Sequence, residues 1–421
     1  MLHDPARHEA LQALPWDDTQ VRQAISDIVS RTEQSFSAQG DWPQHPLDAD
    51  ADADLQTDLQ TGPQKGVPPL YFGTCGVFWA LHYLQDVGAV TLQRSYHGHA
   101  DALLQSNRDW LDGGGDGANK EAASYLMGET PILMWRLGHE PDETTVQRLV
   151  DLINGNIDHP ARELMWGSPG TLLAAQFLHE RTGDARFADL FRATAAKLWS
   201  QLLWSEEFQC HYWTQDLYGS HSNYIDAVHG FVATASPLIR GQALLDAADW
   251  TAWQSCIENT VQRTAVWEGG HANWRARLSS PADKAMLMQY CHGAPGFIVC
   301  LADMPGAALD ALLVAAGEAV WAAGPLSKGS NLCHGTGGNG YAFLKLHERT
   351  GNALWLDRAR AFAMHGIAQS RAHARQYGQL RHSLWTGDPG FAIYLWDCLR
   401  GEAAFPTLDV FYGGAAAAPA G

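Results

Sequence analysis

The chain has 421 residues, 46% of them hydrophobic, and a formal net charge of -18. That length and apolar content exclude a disordered polypeptide and allow a large buried core. The acidic balance excludes nucleic acid and anionic membrane surfaces as partners, because binding their phosphates needs a basic patch.

The opening stretch, Met1-Leu-His-Asp-Pro-Ala-Arg-His8, lacks the basic-then-apolar order of a signal segment, and no apolar run reaches membrane-spanning length. A cytoplasmic location is therefore expected, where thiols stay reduced. The cysteines agree with that expectation: Cys75, Cys210, Cys256, Cys291, Cys300, Cys333 and Cys398 form an odd, scattered set, which is a poor disulfide framework. Most read as small buried apolar residues.

Residues 17–37 predict an amphipathic helix with Val21, Ile25, Ile28 and Val29 on one face. Residues 38–66 read as a linker. It contains Asp48-Ala-Asp-Ala-Asp-Ala-Asp54, a superficial likeness of a calcium loop. Ala53 stands where that loop needs glycine and Leu59 where it needs glutamate, so the run reads as a solvated acidic segment. The organisation expected is residues 1–66 as helix and linker, 67–412 as a single domain, and 413–421, Gly413-Gly-Ala-Ala-Ala-Ala-Pro-Ala-Gly421, as a frayed tail.

Within 67–412 one unit recurs seven times: a glycine turn opening an apolar helix. The turns are Gly73-Thr-Cys-Gly76, Gly128-Glu-Thr-Pro131, Gly167-Ser-Pro-Gly170, Gly230-Phe-Val-Ala233, Gly293-Ala-Pro-Gly296, Gly335-Thr-Gly-Gly338 and Gly387-Asp-Pro-Gly390; the second and fourth lack the final glycine. Runs such as Thr171-Leu-Leu-Ala-Ala-Gln-Phe-Leu178 are apolar nearly all round, so their helices should be buried. Between them lie helices with one charged face, such as residues 186–199 and 356–364. Strand alternation is weak throughout. Seven buried helices alternating with half-exposed ones predict an all-α fold, an α/α toroid of seven inner and seven outer helices. Its glycine turns should gather at one end, around a shallow opening where helix N-termini present free N–H groups.

The residues at these turns carry the chemistry. Tyr290-Cys-His-Gly293 and Leu332-Cys-His-Gly335 repeat one design about forty residues apart. Cys291, Cys333 and His334 supply two sulfurs and one nitrogen, a zinc donor set with a fourth position for water or a substrate thiol. The plainer reading, two unrelated buried cysteines, does not account for the repeated context. His292 lies near that site as an acid/base rather than a ligand, since an adjacent residue points elsewhere. His229 precedes the fourth glycine turn and can exchange protons near neutral pH; alternatively it is a hydrogen-bonded residue lining the turn. Glu163, four residues before Gly167, either orients a histidine or holds a proton, or else caps a helix. Lys328 could attract an anionic substrate or be simply solvated. Trp166 and Trp385, beside turns, are candidates to line the opening.

These motifs together resemble the lanthionine synthetase C-like family, which includes lanthipeptide cyclases and stand-alone glutathione-binding members. Tyr290-Cys-His-Gly-Ala-Pro-Gly296 is similar to its first zinc motif, and Leu332-Cys-His-Gly335 with Asn339-Gly-Tyr-Ala-Phe343 to its second. Ala227-Val-His-Gly230 is similar to its catalytic-histidine motif, while Ser383-Leu-Trp-Thr-Gly-Asp-Pro-Gly390 and Ala404-Phe-Pro406 look like its closing segment. The resemblance spans roughly residues 68 to 412. It implies one zinc ion held by Cys291, Cys333 and His334, with His229 as acid/base and Glu163 assisting. Two departures, Ala233 for a glycine and the imperfect turn at Gly128, touch turn geometry and not the zinc motifs. The Cys-His-Gly-Ala-Pro-Gly wording and Lys328 look closer to the glutathione-type members.

The activity so implied is zinc-dependent addition of a thiol, glutathione first, to dehydroalanine or dehydrobutyrine in a peptide or protein. His229 or His292 would return a proton to the α-carbon, and the product is a thioether. The alternatives are a lanthipeptide cyclase closing intramolecular lanthionine rings, and a non-catalytic scaffold that binds zinc and glutathione. A glycosidase on a similar toroid ranks below these, because it needs two facing carboxylates. The sequence carries no fused dehydratase domain, so another enzyme is expected to supply the dehydroamino acid.

Overall fold

The first helix, α1 (Asp18–Gln34), starts at Asp17, whose carboxylate accepts from the Thr19 and Gln20 N–H groups, and turns Val21, Ile25, Ile28 and Val29 inward. The single turn α2 (Pro46–Ala49) follows. From there inner and outer helices alternate. They run as α3 (Thr74–Asp86), α4 (Ala100–Asp112), α5 (Thr130–His139), α6 (Glu143–Asn156), α7 (Ser168–Thr182), α8 (Ala185–Ser200) and α9 (Phe231–Arg240). Then come α10 (Ala247–Thr264), α11 (Ala294–Leu301), α12 (Asp310–Ala323), α13 (Thr336–Thr350), α14 (Ala353–Tyr377) and α15 (Asp388–Arg400). The odd-numbered helices from α3 are inner and the even-numbered ones from α4 are outer. Helix α1 packs against α15 and fills the remaining outer place, so seven helices of each kind are present among the described residues. Those residues are 1–49, 66–114 and 120–413 of this computed structural model. The acidic run lies outside them beyond Ala49, as does the tail beyond Gly413. No described helix is long and apolar enough to cross a membrane.

The chain is an α/α toroid. Its inner helices are buried all round, as in α7 from Ser168 to Leu178 and α15 from Asp388 to Cys398. Outer helices bury one stripe; α8 buries Phe187, Leu190, Phe191, Thr194 and Leu198. All-round burial requires the bore of the ring to be filled, and residues 403–413 fill it. Phe405 packs on Tyr290, Tyr341 and Trp385 at centroid distances of 4.6, 4.8 and 5.4 Å. Phe411 lies near Trp79, Tyr125 and Phe177 on the other side. Between them the Thr407 carbonyl accepts from the Tyr125 hydroxyl (2.6 Å), and Asp409 pairs with the buried Lys345 of α13 (3.0 Å).

The glycine turns are held to one another by backbone bonds that run round the mouth of the ring. Tyr71 N–H donates to Leu126 O, Leu126 N–H to Met165 O, and Leu164 N–H to Val228 O. Cys291 N–H donates to Cys333 O, Cys333 N–H to Trp385 O, and Trp385 N–H to Tyr71 O. The gap between the fourth and fifth turns is crossed by the Tyr290 hydroxyl, which donates to Ala227 O (3.3 Å).

The final glycine of each complete turn is dictated by close approach. A Cβ on Gly338 would lie 1.8 Å from the Leu332 carbonyl oxygen, and the equivalent distance is 2.1, 2.2, 2.0 and 1.9 Å at Gly76, Gly170, Gly296 and Gly390. Gly338→Ala should therefore displace the Leu332–Cys333 loop, lower stability by about 1–3 kcal/mol as overpacked cores do, and weaken metal retention. A thermal melt with metal analysis of the same sample checks this; an unchanged melt would mean the loop moves freely.

Three short antiparallel hairpins were not expected. They are β1 (Leu203–Ser205) with β2 (Cys210–Tyr212), β3 (Gln215–Leu217) with β4 (Ser220–Ser222), and β5 (Val266–Glu268) with β6 (His271–Asn273). Each strand has three residues, too few for alternation to show. They sit in the α8–α9 and α10–α11 connections, which lead to the mouth.

Candidate metal centre and its acid–base pairs

The turns before α11 and α13 meet at the mouth. There Cys291, Cys333 and His334 each offer one donor atom, and all three lie within 4.8 Å of one another. The backbone sets these positions: the Cys291–Cys333 and Cys333–Trp385 bonds fix both cysteines, and His334 N–H donates to the Asn331 side chain (3.0 Å). Two thiols and an imidazole suit a borderline-soft divalent metal, zinc above all, and three protein ligands is the count of a catalytic rather than a closed site.

The surroundings also fit a deprotonated sulfur pair. The Tyr71 hydroxyl donates to Cys333 Sγ (2.8 Å), and the Gln289 amide donates to Cys291 Sγ (2.9 Å). Hydrogen bonding from the Cys291 thiol, with help from the Tyr71 hydroxyl, overcomes burial and holds Cys333 below its ordinary value; burial pushes Cys291 up. A bound cation supplies what the second thiolate lacks. All seven cysteines are free and buried.

Two carboxylate–imidazole pairs stand beside this cluster. Glu163, 0% exposed, accepts from Met165 N–H (2.8 Å) and Trp166 N–H (2.5 Å), and His229 Nδ1 lies 2.9 Å from it. With both backbone donors already on the carboxylate, His229 Nδ1–H is the donor in that contact. Asp226, also 0% exposed, accepts from the Val228 and His229 N–H groups through one oxygen and meets His292 Nδ1 at 2.7 Å through the other. Burial opposes the Asp226 charge, but the His292 imidazole outweighs it, so this carboxyl stays below the usual range. Burial likewise opposes a charged His292, but the Cys291 sulfur and the Asp226 carboxylate beside it push it up. The two rings face one opening with centroids 6.5 Å apart.

Sequence reasoning named Cys291, Cys333, His334, His229, His292 and Glu163, and the fold brings all six to the mouth. Lys328 lines an adjoining crevice with Asn331, His45, His373 and Arg381, close enough to Cys333 for its charge to lower that thiol. Trp166 and Trp385 do not line the opening. Both are fully buried beneath it, because their main chains carry the turns and their rings belong to the core.

Other site residues escaped sequence reading. Asp226 lies three positions before His229, the spacing of an Asx cap, and that was its signal. Tyr71 and Arg381 carried none: Tyr71 is 262 residues from the sulfur it touches. Arg381 reaches Cys333 only through the closing of the ring, and its guanidinium is held by Asp48.

Comparison with known proteins agrees with this geometry. The family description "Lanthionine synthetase C-like protein" matches residues 67–410. A Danio rerio protein named "Glutathione S-transferase LANCL1" is 26% identical over 285 residues, covering 65% of this chain and 68% of its own length. An Arabidopsis thaliana protein, "LanC-like protein GCL1", is 39% identical over 101 residues, 22% of each chain. Among solved structures, "Nisin cyclase" superposes with a TM-score of 0.59 at 15% identity, over 91% of this chain and 95% of that one.

Proposed function

Because the chain belongs to the lanthionine synthetase C-like family, we propose that it adds a thiol, glutathione in the first instance, to dehydroalanine or dehydrobutyrine in a peptide or protein, forming a thioether. The observation that carries this reading is the meeting, at one mouth, of a Cys-Cys-His cluster and two carboxylate-backed imidazoles. Zinc held by Cys291, Cys333 and His334 would keep the incoming thiol deprotonated at neutral pH, where a free thiol of pKa about 8.5 is mostly protonated.

The chain's own residues supply the rest. Tyr71 and Gln289 hold the two cysteine sulfurs by hydrogen bonds, orienting them as outer donors do in metal sites. His229 and His292 are each fixed at Nδ1 by a buried carboxylate. One of them delivers the proton that the α-carbon needs once the C–S bond has formed.

Glutathione is preferred for two reasons. Lys328 is an exposed cation near Cys333 in a chain of net charge -18, and glutathione carries two carboxylates. The zebrafish relative is by name a glutathione S-transferase. Lys328→Ala should raise KM for glutathione about fivefold, the upper end for a solvent-exposed charge contact, with kcat little changed. Steady-state kinetics with glutathione and with an uncharged thiol separates the two effects: an equal rise for both thiols removes Lys328 from the anion subsite. The free cysteines suit a reducing, cytoplasmic setting. Glycosidase chemistry is disfavoured, because Glu163 and Asp226 lie buried behind imidazoles instead of facing a substrate.

The direct test mixes zinc-loaded protein, glutathione and a peptide carrying both dehydrobutyrine and cysteine, with an enzyme-free control, and follows mass. A zinc-dependent gain of one glutathione supports the proposal. Loss of the alkylatable thiol at unchanged mass means intramolecular ring closure instead. Failure across varied peptides, with thiol binding intact, leaves a zinc- and glutathione-binding scaffold.

A further inference from the structure

We propose that Tyr224 and Arg277 together bind the acyl oxygen of the dehydroamino acid and take up the negative charge that develops there. The proposal rests on the thiol-addition reading and assigns a part of it that no metal ligand or imidazole covers. The thiolate sulfur forms a bond to the β-carbon, and the C=C electron pair moves toward the acyl group. That leaves an enolate with its charge on the acyl oxygen. An imidazolium proton then goes to the α-carbon and the C=O bond re-forms. Between these events the oxygen carries almost a full charge, and a preorganised donor there lowers the barrier.

Tyr224 is placed for this task. Its ring centroid lies 5.4 Å from that of His229 and 6.3 Å from that of His292, whose plane it nearly parallels, so it stands beside both imidazoles. The Arg277 guanidinium carbon sits 4.3 Å from the Tyr224 ring centroid, and the guanidinium donates to the Tyr224 hydroxyl oxygen. With that oxygen accepting, the hydroxyl hydrogen is left to donate outward, and the adjacent cation strengthens it as a donor.

The backbone beneath the pair is pinned. Tyr224 and Arg277 face each other in an antiparallel bridge, flanked by Ile225 N–H to Ala276 O (2.9 Å) and Leu278 N–H to Asn223 O (3.1 Å). The buried Gln215 side chain accepts from Tyr224 N–H (2.7 Å) and donates to Tyr224 O (3.3 Å). This bridge joins the connection carrying His229 to the one carrying Cys291 and His292.

Other donors around the mouth are committed. Tyr71 and Gln289 serve the sulfurs. Arg275 donates to the carbonyls of Pro281, Ala282 and Lys284, and Arg162 to Thr214. Lys328 and Arg381 stand on the Cys333 side, where the thiol's own charges would lie.

The test compares two acceptors, N-acetyl-dehydroalanine as its methylamide and as its methyl ester, whose enolate is intrinsically more stable. Tyr224→Phe and Arg277→Gln should each lower kcat on the amide by about 10²-fold, the effect of removing one oxyanion donor. KM and zinc content should stay near those of the unaltered chain. The deficit should shrink several-fold on the ester, and Arg277→Lys should recover part of it. Equal deficits on both acceptors, or a loss carried by KM, would overturn the proposal and leave the pair a structural role. An unaltered protein inert toward both acceptors would instead overturn the thiol-addition reading, and this proposal with it.

Discussion

Turnover by the His229→Ala protein should fall by about 10²–10⁴-fold, the usual contribution of a positioned acid–base group, while zinc content and glutathione binding stay close to normal. The reason is the asymmetry of the ring's contacts. Nδ1 is engaged by Glu163 at 2.9 Å, a carboxylate fully buried and already carrying two backbone N–H bonds. The ring is thereby held in one tautomer beside the metal cluster. Removing the ring takes away a proton carrier without touching the sulfurs, which belong to other turns and are held by Tyr71 and Gln289. Glu163→Gln keeps the shape but offers an amide where two N–H donors need oxygen, so it should lose about 10–100-fold. The neighbouring Asp226–His292 pair makes the experiment sharper. If His229→Ala keeps full turnover and His292→Ala loses it, the proton comes from His292, and the assignment here is wrong by one pair.

Cys333→Ala should bind zinc at least a hundredfold more weakly than the unaltered chain and lose turnover. Structural zinc sites with four protein ligands have apparent affinities of about 10–16 kcal/mol, roughly 3 kcal/mol per ligand, so deleting one of the three here should cost at least that, above a hundredfold in binding. Cys333 is the sulfur that receives the Tyr71 hydroxyl, whose backbone carbonyl in turn receives Trp385 N–H. Its loss also leaves a buried hydroxyl and the Cys291 thiol without their partner, so a lower melting temperature is expected even in metal-free buffer. Metal analysis after dialysis, with melts run with and without chelator, reads both effects. A Cys333→Ala protein that binds zinc as tightly as the unaltered chain would remove this cluster as the metal centre.

Much of the ring could be read from the sequence because its constraint is local and repeated. A helix whose start packs against a carbonyl six residues back tolerates only glycine there, as at Gly296 or Gly390, and five such starts in series with two imperfect copies spell a toroid. Cys291, Cys333 and His334 were legible because metal donors of that type repeat beside those glycines. Contacts made by ring closure were not. Tyr71 meets Cys333, and Thr407 meets Tyr125, across hundreds of residues with no local pattern to betray them. The hairpins at residues 203–222 and 266–273 hid for a different reason: their strands are shorter than one full alternation. Trp42, within the presumed linker, is buried and donates to the Thr32 carbonyl (2.7 Å), a single aromatic anchor in a polar stretch.

The seam of the ring lies between α1 and α15, the first and last of its long helices. During synthesis Asp388 emerges roughly 350 residues after Gln34, which at about 5–20 residues per second is about 20–70 s. For that interval the stripe of Val21, Ile25, Ile28 and Val29 has no α15 to cover it, and the bore has no residues 403–413 to fill it. The circle cannot be closed in instalments. Until then the nascent chain is an open arc with an apolar edge at each end.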